Sequence, residues 1–323
     1  MLSSGSWYHR PAVPSCTPRL ADDAARRLSA ADCHTVTGRN EMNPASSKNS
    51  ETKFSVLISV YKNDNPIHFK EALESVFNQT LKPDEVVLVV DGPISNSTNE
   101  IIEQYENGAF LKVIRLSANV GHGNARRIGL ENCTNELIAL MDADDINVRD
   151  RFEKQIKYFE EEKTLSIIGG NINEFVNSVS NIVSIREVPQ HDKEIKQYMK
   201  RRCPFNQVTV MFKSTEVRKA GGFKDWYHNE DYYLWIRMYQ SGATFKNLKD
   251  SLVLVRVGDE MYKRRGGWKY FKSDAKIQKY MFDHGITNIF IFIKNVVVRF
   301  ILQILIPNRL RGVILRKFAR KKN

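Results

Sequence analysis

The sequence predicts an α/β domain organised around a largely parallel sheet. Apolar runs of strand length recur from residue 54 onward, and amphipathic helical stretches separate them. Pro, Gly, Asn and Ser punctuate the junctions, as alternating strands and helices require.

Residues 54–61 form a continuous apolar run, the pattern of a buried first strand. Asn65-Pro66 then supplies an N-cap and a proline at the first helical position, opening a helix to about residue 79. Residues 85–91 make the second strand, stopped by Gly92-Pro93. A polar turn at 95–99 caps the next helix, and 111–116 make the third strand. Residues 121–132 read as a loop running into a helix. Residues 137–141 form a fourth strand that ends in Asp142-Ala-Asp-Asp145. Beyond it the texture becomes α+β: a charged helix over 149–162, a strand near 165–170, extended pieces around 182–188, a strand over 207–212 and a helix over 229–240.

The 323 residues are 42% hydrophobic and 27% charged, a globular balance for one domain with appendages. Cys16, Cys33, Cys133 and Cys203 stand far apart without zinc spacing, which favours a reduced, cytosolic protein. The net charge of +12 points to nucleic acid, an anionic membrane or a phosphorylated substrate, so its distribution decides. Residues 1–52 differ in composition: Ala, Ser, Pro and Arg dominate, Lys first occurs at Lys48 and Ile at Ile58. They lack the apolar core of a secretory signal and carry Asp22, Asp23 and Asp32. They read as a disordered leader, with Met42 a plausible initiator. Residues 53–257 are then the main α/β domain, and 258–323 a basic loop with amphipathic helices.

In open α/β sheets ligands bind beyond the carboxyl ends of strands, where Asp142, Asp144 and Asp145 stand. Such carboxylates repel one another unless a cation joins them, and hard oxygen donors suit Mg²⁺ or Mn²⁺. An Asp-rich turn capping a helix is the equal alternative. Asp91 likewise ends a strand, either as an acceptor for a base or ribose or as a turn residue. Glu230 and Asp231 open an aromatic helix whose N-terminus keeps carboxylates ionised, as a general base or as dipole partners.

In order, Ser59-Val-Tyr61, Val90-Asp-Gly92, Asn119-Val-Gly-His-Gly-Asn-Ala-Arg126, the Asp142–Asp145 cluster, Gly221-Gly-Phe223 and Glu230-Asp-Tyr-Tyr-Leu-Trp-Ile-Arg237 resemble one family. The chain resembles family 2 glycosyltransferases of the GT-A fold, most like the branch of capsule, exopolysaccharide and O-antigen synthesis. The resemblance runs from about residue 54 to the C-terminus and would make residues 53–257 the catalytic domain. It implies a Rossmann-like mixed sheet flanked by helices, and inverting transfer from a nucleotide-sugar donor, UDP-sugar favoured, to a hydroxyl of a lipid-linked glycan acceptor. Ser59, Val60, Tyr61 and Asp91 would hold the nucleotide base. Arg126 would lie near the phosphates, with Arg127 where the family commonly has Asn. Asp142 would touch the ribose or the metal's water shell, and Asp144 would bind the Mg²⁺ or Mn²⁺ bridging the diphosphate. Asp231 would be the base and Glu230 its reserve. Pro204-Phe-Asn-Gln207 fills a place where a His often follows Asn.

The loop Met261-Tyr-Lys-Arg-Arg-Gly-Gly267 offers Lys263, Arg264 and Arg265 to a phosphate or acceptor, or else to solvent. A helix over 268–284 precedes the apolar stretch 289–306, which Lys294 and Arg299 interrupt. Asn295, Arg299 and Gln303 fall at i, i+4 and i+8, a narrow polar stripe. Seven Lys/Arg and no acid follow Pro307. This pattern favours peripheral anchoring on an anionic membrane, at the cytoplasmic inner face, over a helix packed on the domain. A nucleic-acid partner is not expected, because no reading motif accompanies the charge. The missing GxGxxG disfavours a nicotinamide enzyme. An inactive nucleotide-sugar-binding module and a polyanion binder are the competing functions.

Overall fold

The structure is a computed structural model that describes residues 52–106, 108, 110–258 and 266–307. The leader up to residue 51 with Met42, the basic side chains Lys263, Arg264 and Arg265, and the seven cations beyond Pro307 lie outside the described residues.

The first half is built from four parallel strands in the order β3-β2-β1-β4: β1 (Phe54–Val60), β2 (Glu85–Val90), β3 (Leu111–Arg115) and β4 (Leu137–Asp142). Helices α1 (Pro66–Phe77), α2 (Asn96–Glu106) and α3 (His122–Asn132) connect them. Asn65 caps α1 by accepting from the Ile67 amide at 2.9 Å, as its sequence signature requires. Alternate residues of β1 enter two cores: Val56, Ile58 and Val60 one, Leu57 the other. Close helix-to-sheet approach requires Gly129 in α3, because a Cβ there would lie 2.2 Å from Leu57 Cδ1. Register aligns Ser59 with Asp142 and Val60 with Val90, so the carboxyl ends of β1, β2 and β4 meet at one edge.

The second half is mixed. It contains β5 (Ile146–Asn147), α4 (Arg151–Glu161), β6 (Ile167–Phe175), β7 (Ile182–Arg186), α5 (Asp192–Met199), β8 (Met211–Lys213), α6 (Ser214–Lys219), α7 (Glu230–Gln240) and β9 (Phe245–Arg256). β8 lies antiparallel between β4 and β6, while β9 runs parallel to β6 and carries β5 antiparallel on its far side. β7 pairs antiparallel with β6. The strand expected over 207–212 is instead a 3₁₀ turn, Gln207–Thr209, followed by the short β8. Thr209 explains the difference: its hydroxyl donates to the Asn206 carbonyl at 2.7 Å and accepts the Gly170 amide at 3.0 Å, which closes a turn.

Two C-terminal helices follow, α8 (Trp268–Asp283) and α9 (Ile289–Phe300), with a π turn at Ile301–Leu305. α9 packs on the domain, and it does so through the polar stripe. Asn295 donates to the Lys200 carbonyl and to Gln278, both at 2.8 Å. Arg299 pairs with Asp274 at 2.8 Å and donates to the Arg201 carbonyl at 2.7 Å, and Gln303 donates to Asp274 at 2.8 Å. The opposite face, with Ile289, Phe290, Ile293, Val297, Val298, Ile301 and Leu305, is exposed, Phe290 by 78%. Among the described residues no helix is long and apolar enough to cross a membrane.

Candidate active site

The carboxyl edge of the sheet opens into a cavity of about 1130 Å³. Asp142, Asp144 and Asp145 line one part of it; Glu230 and Asp231, at the start of α7, line another. Four of the residues expected at a site, Asp142, Asp144, Glu230 and Asp231, are therefore brought together although 86 positions separate the second from the third.

Arg126 joins the two groups. Its side chain is almost fully buried, donates to Asp142 at 2.6 Å and lies 3.6 Å from Glu230. Its position lies behind the cavity wall and ties β4 to α7. Asp91 is also buried, and its carboxylate accepts from the Val120 amide at 2.7 Å, the Gly121 amide at 3.2 Å and Asn119 at 2.9 Å. The carboxylate thus anchors the 119–121 loop. Gly92 is required beside it: its φ is +85° and a Cβ would meet the Asn119 amide nitrogen at 2.6 Å. Ser59, Val60 and Tyr61 do not line the cavity but end at its edge, where the Tyr61 amide donates to Asp64 at 2.9 Å.

Several residues here escaped the sequence reading. Burial, reinforced by the charges of Asp144 and Asp142 and opposed by the Tyr61 amide, pushes Asp64 up to about 6. Burial and the same two charges push Asp145 well above the carboxylate range, although it accepts the Arg256 amide at 3.0 Å. Arg256, at the end of β9, also donates to the Asp144 carbonyl at 3.2 Å and to Glu71 at 2.5 Å. Beneath the cluster, Arg151 is fully buried and donates to Asn147 at 2.5 Å, Gln155 at 3.1 Å and the Leu140 carbonyl at 2.9 Å. Burial lowers its guanidinium to about 9. Asp145 was visible in its acidic run and His122 in its glycine motif; Asp64, Arg151 and Arg256 carried no signal beyond an ordinary charged residue.

Glu230 and Asp231 are adjacent but titrate apart. Burial raises Glu230, yet the His122 hydrogen bond, at 3.3 Å, and the Arg126 charge outweigh it and hold the carboxyl at about 2. Burial and the charge of Glu230 push Asp231 up to about 6. The expectation that the helix N-terminus depresses both is thus corrected for Asp231, where desolvation and a like charge outweigh the dipole. Asp231 also accepts a weak hydrogen bond from Cys203 Sγ at 3.7 Å.

Mutual repulsion among Asp142, Asp144, Asp145 and Asp64 is what a divalent cation would relieve, and the donors are hard oxygens. Among the described residues no group of three or more His, Cys, Asp or Glu is assembled to hold an ion. The chain fits an incomplete shell, of the kind that substrate phosphates and water fill.

Residues 55–225 match the family described as glycosyl transferase family 2. The chain is 38% identical over 269 residues to an uncharacterized glycosyltransferase of Haemophilus influenzae, covering 83% of this chain and 100% of that protein. It is 38% identical to the amylovoran biosynthesis glycosyltransferase AmsE of Erwinia amylovora, across 70% of this chain and 84% of the relative. It is 34% identical to the UDP-Gal:alpha-D-GlcNAc-diphosphoundecaprenol beta-1,3-galactosyltransferase of Escherichia coli, across 83% and 97%. Among solved structures, S. aureus TarS 1–349 in complex with UDP-GlcNAc superposes with a TM-score of 0.53 at 19% identity, covering 83% of this chain and 71% of that one. Mannosyltransferase PcManGT from Pyrobaculum calidifontis in complex with GDP-Man and Mn²⁺ gives 0.54 at 14% identity, covering 83% and 75%. These likenesses agree on the fold, the mixed sheet flanked by helices of the GT-A type.

Proposed function

The chain belongs to glycosyl transferase family 2, and on that footing we propose that it moves a sugar from a nucleotide-diphosphate donor, UDP-sugar favoured, to a hydroxyl of a lipid-linked glycan acceptor. The observation that carries this reading is that Asp144 and Asp231 line one cavity. The galactosyltransferase relative's name, with its diphosphoundecaprenol acceptor, supports the acceptor class.

Asp231 acts as the base. Raised to about 6, its carboxylate is ionised at neutral pH yet basic enough to take a hydroxyl proton. The acceptor oxygen then attacks the anomeric carbon as the bond to the nucleoside diphosphate breaks, and configuration inverts. The proton ends on Asp231. Glu230, held at about 2, stays anionic and keeps Arg126 and His122 in place. Asp144 would hold an Mg²⁺ or Mn²⁺ ion with Asp142 at its water shell, where such an ion neutralises charge on a departing diphosphate. Ser59, Val60, Tyr61 and Asp91 form the nucleotide side, Asp91 by fixing the 119–121 loop.

The enzyme would work as a peripheral protein at the inner face of the plasma membrane. The exposed apolar face of α9 and the seven cations that follow Pro307 support this, each cation near an anionic leaflet contributing about 1 kcal/mol. The test is a thermal-shift series of nucleotide sugars with and without Mn²⁺, followed by transfer to a diphosphate-linked acceptor. Stabilisation by one donor class and product formation are expected; no stabilisation by any donor, together with no transfer, overturns the reading.

A further inference from the structure

The cavity also has a basic pole, Arg201 and Arg202, which precede Cys203 in sequence. The loop after α5 is tied down through its own carbonyls: Lys200 accepts from Asn295 at 2.8 Å, Arg201 from Arg299 at 2.7 Å and Cys203 from Arg186 at 3.2 Å. Asn206 closes the loop, donating to the carbonyls of Gly170 at 2.9 Å and Arg186 at 3.2 Å. The backbone is thus bound to β6, β7 and α9, and Arg201 and Arg202 line the cavity. Among the described residues neither guanidinium pairs with a carboxylate.

Between the basic pole and the acidic one stands Asp231, in contact with Cys203. The wall beside the arginines is α9 and its π turn, through Val298 and Leu302. Val298 also belongs to the exposed apolar face, so that face of α9 reaches the cavity rim.

Building on the transferase reading, we propose that Arg201 and Arg202 bind the phosphates of a diphosphate-linked acceptor whose lipid leaves the cavity along Leu302 and Val298. Guanidinium forks match phosphate oxygens two at a time, which an uncharged glycan would not need. A donor diphosphate belongs at the acidic, cation-demanding pole. An acceptor diphosphate at the other pole sets the sugar between them, with its hydroxyl toward Asp231.

The probe is octyl diphosphate, which carries both phosphates and a short chain but no sugar. In calorimetry without micelles or vesicles, Arg201→Ala/Arg202→Ala should weaken its binding about tenfold or more, with Arg201→Lys/Arg202→Lys intermediate. Donor binding by the same variants should not change, which separates loss of the site from loss of the fold. Equal probe affinity in wild type and the double alanine variant overturns the assignment. So does a parallel loss of donor affinity, which would move the arginines to the donor phosphates. A fall in binding to phosphatidylglycerol vesicles with probe affinity intact would assign them to the membrane surface instead. Failure of the transferase reading looks different: wild type would then neither bind nor consume a nucleotide sugar, whereas this assay reads the probe alone.

Discussion

The strands β1 to β4 and the region from β6 onward are held together in different ways. In the first, apolar residues alternate along parallel strands and pack under helices that follow directly in sequence. In the second, buried polar side chains reach across the fold to carbonyls: Asn206 to Gly170, Asn247 to Pro189 at 2.7 Å, Asn295 to Lys200. The first region brings Asp142 and Asp144 to the cavity, and the second brings Glu230, Asp231, Arg201 and Arg202, the proposed base and basic pole. Hydrophobic periodicity therefore suffices to build the first region, while the second depends on individual buried polar bonds that single substitutions break.

The sharpest way to separate the regions is Asp231→Asn. Transfer should fall by about 10³-fold, the scale of a lost general base, while donor affinity stays near wild type. Full transfer by the purified variant would remove the base from the acceptor side. Next in size is Arg151→Met, which tests whether the donor edge too relies on a buried polar framework. Leaving Asn147 and the Leu140 carbonyl unpaired should cost about 3 kcal/mol, read as a lower urea midpoint with unchanged slope. A change under about 0.5 kcal/mol would show that apolar packing alone holds that edge.

Asp144→Asn should weaken Mn²⁺-dependent donor binding on the order of 100-fold and leave octyl diphosphate binding intact. Loss of both would mean that the two poles are one site. Smaller still is the pH effect. Because Asp231 is raised to about 6 and must be ionised to accept a proton, transfer should hold above that pH and fall about tenfold per unit below it. Glu230, at about 2, remains ionised throughout, so a profile flat down to pH 4 would point to Glu230 as the base. The least effect is expected from Phe290→Ser, which should lower partition onto anionic vesicles about tenfold without altering the melting temperature.

How much of this was readable in the sequence follows the same division. The first four strands, three helices and the Asp142–Asp145 cluster stand nearly where apolar runs and turn residues put them, because their signals are local. β9 was missed: Lys246, Lys249 and Asp250 break its alternation, and its pairing with β6 shifts register near Gly170 and Asn171. The short helices α5 and α6 were missed for want of length, and β8 has only three residues. Arg256 belongs to the site only because β9 ends there, a fact no local pattern carries. Asp231 was found through its aromatic helix, but its proton affinity was not, since the helix N-terminus is local and burial is not. Arg201 and Arg202 carry no local signal, because their place in the cavity wall depends on the loop that α9 pins.

The inside-out polarity of α9 has a mechanical consequence. A helix that spends its polar groups on the body of the protein cannot swivel on a bilayer, so a docked molecule would hold its catalytic chamber at a constant height above the lipids. If the exposed face docks as proposed, that fixed height would favour a glycan still close to its lipid over the tip of a grown chain.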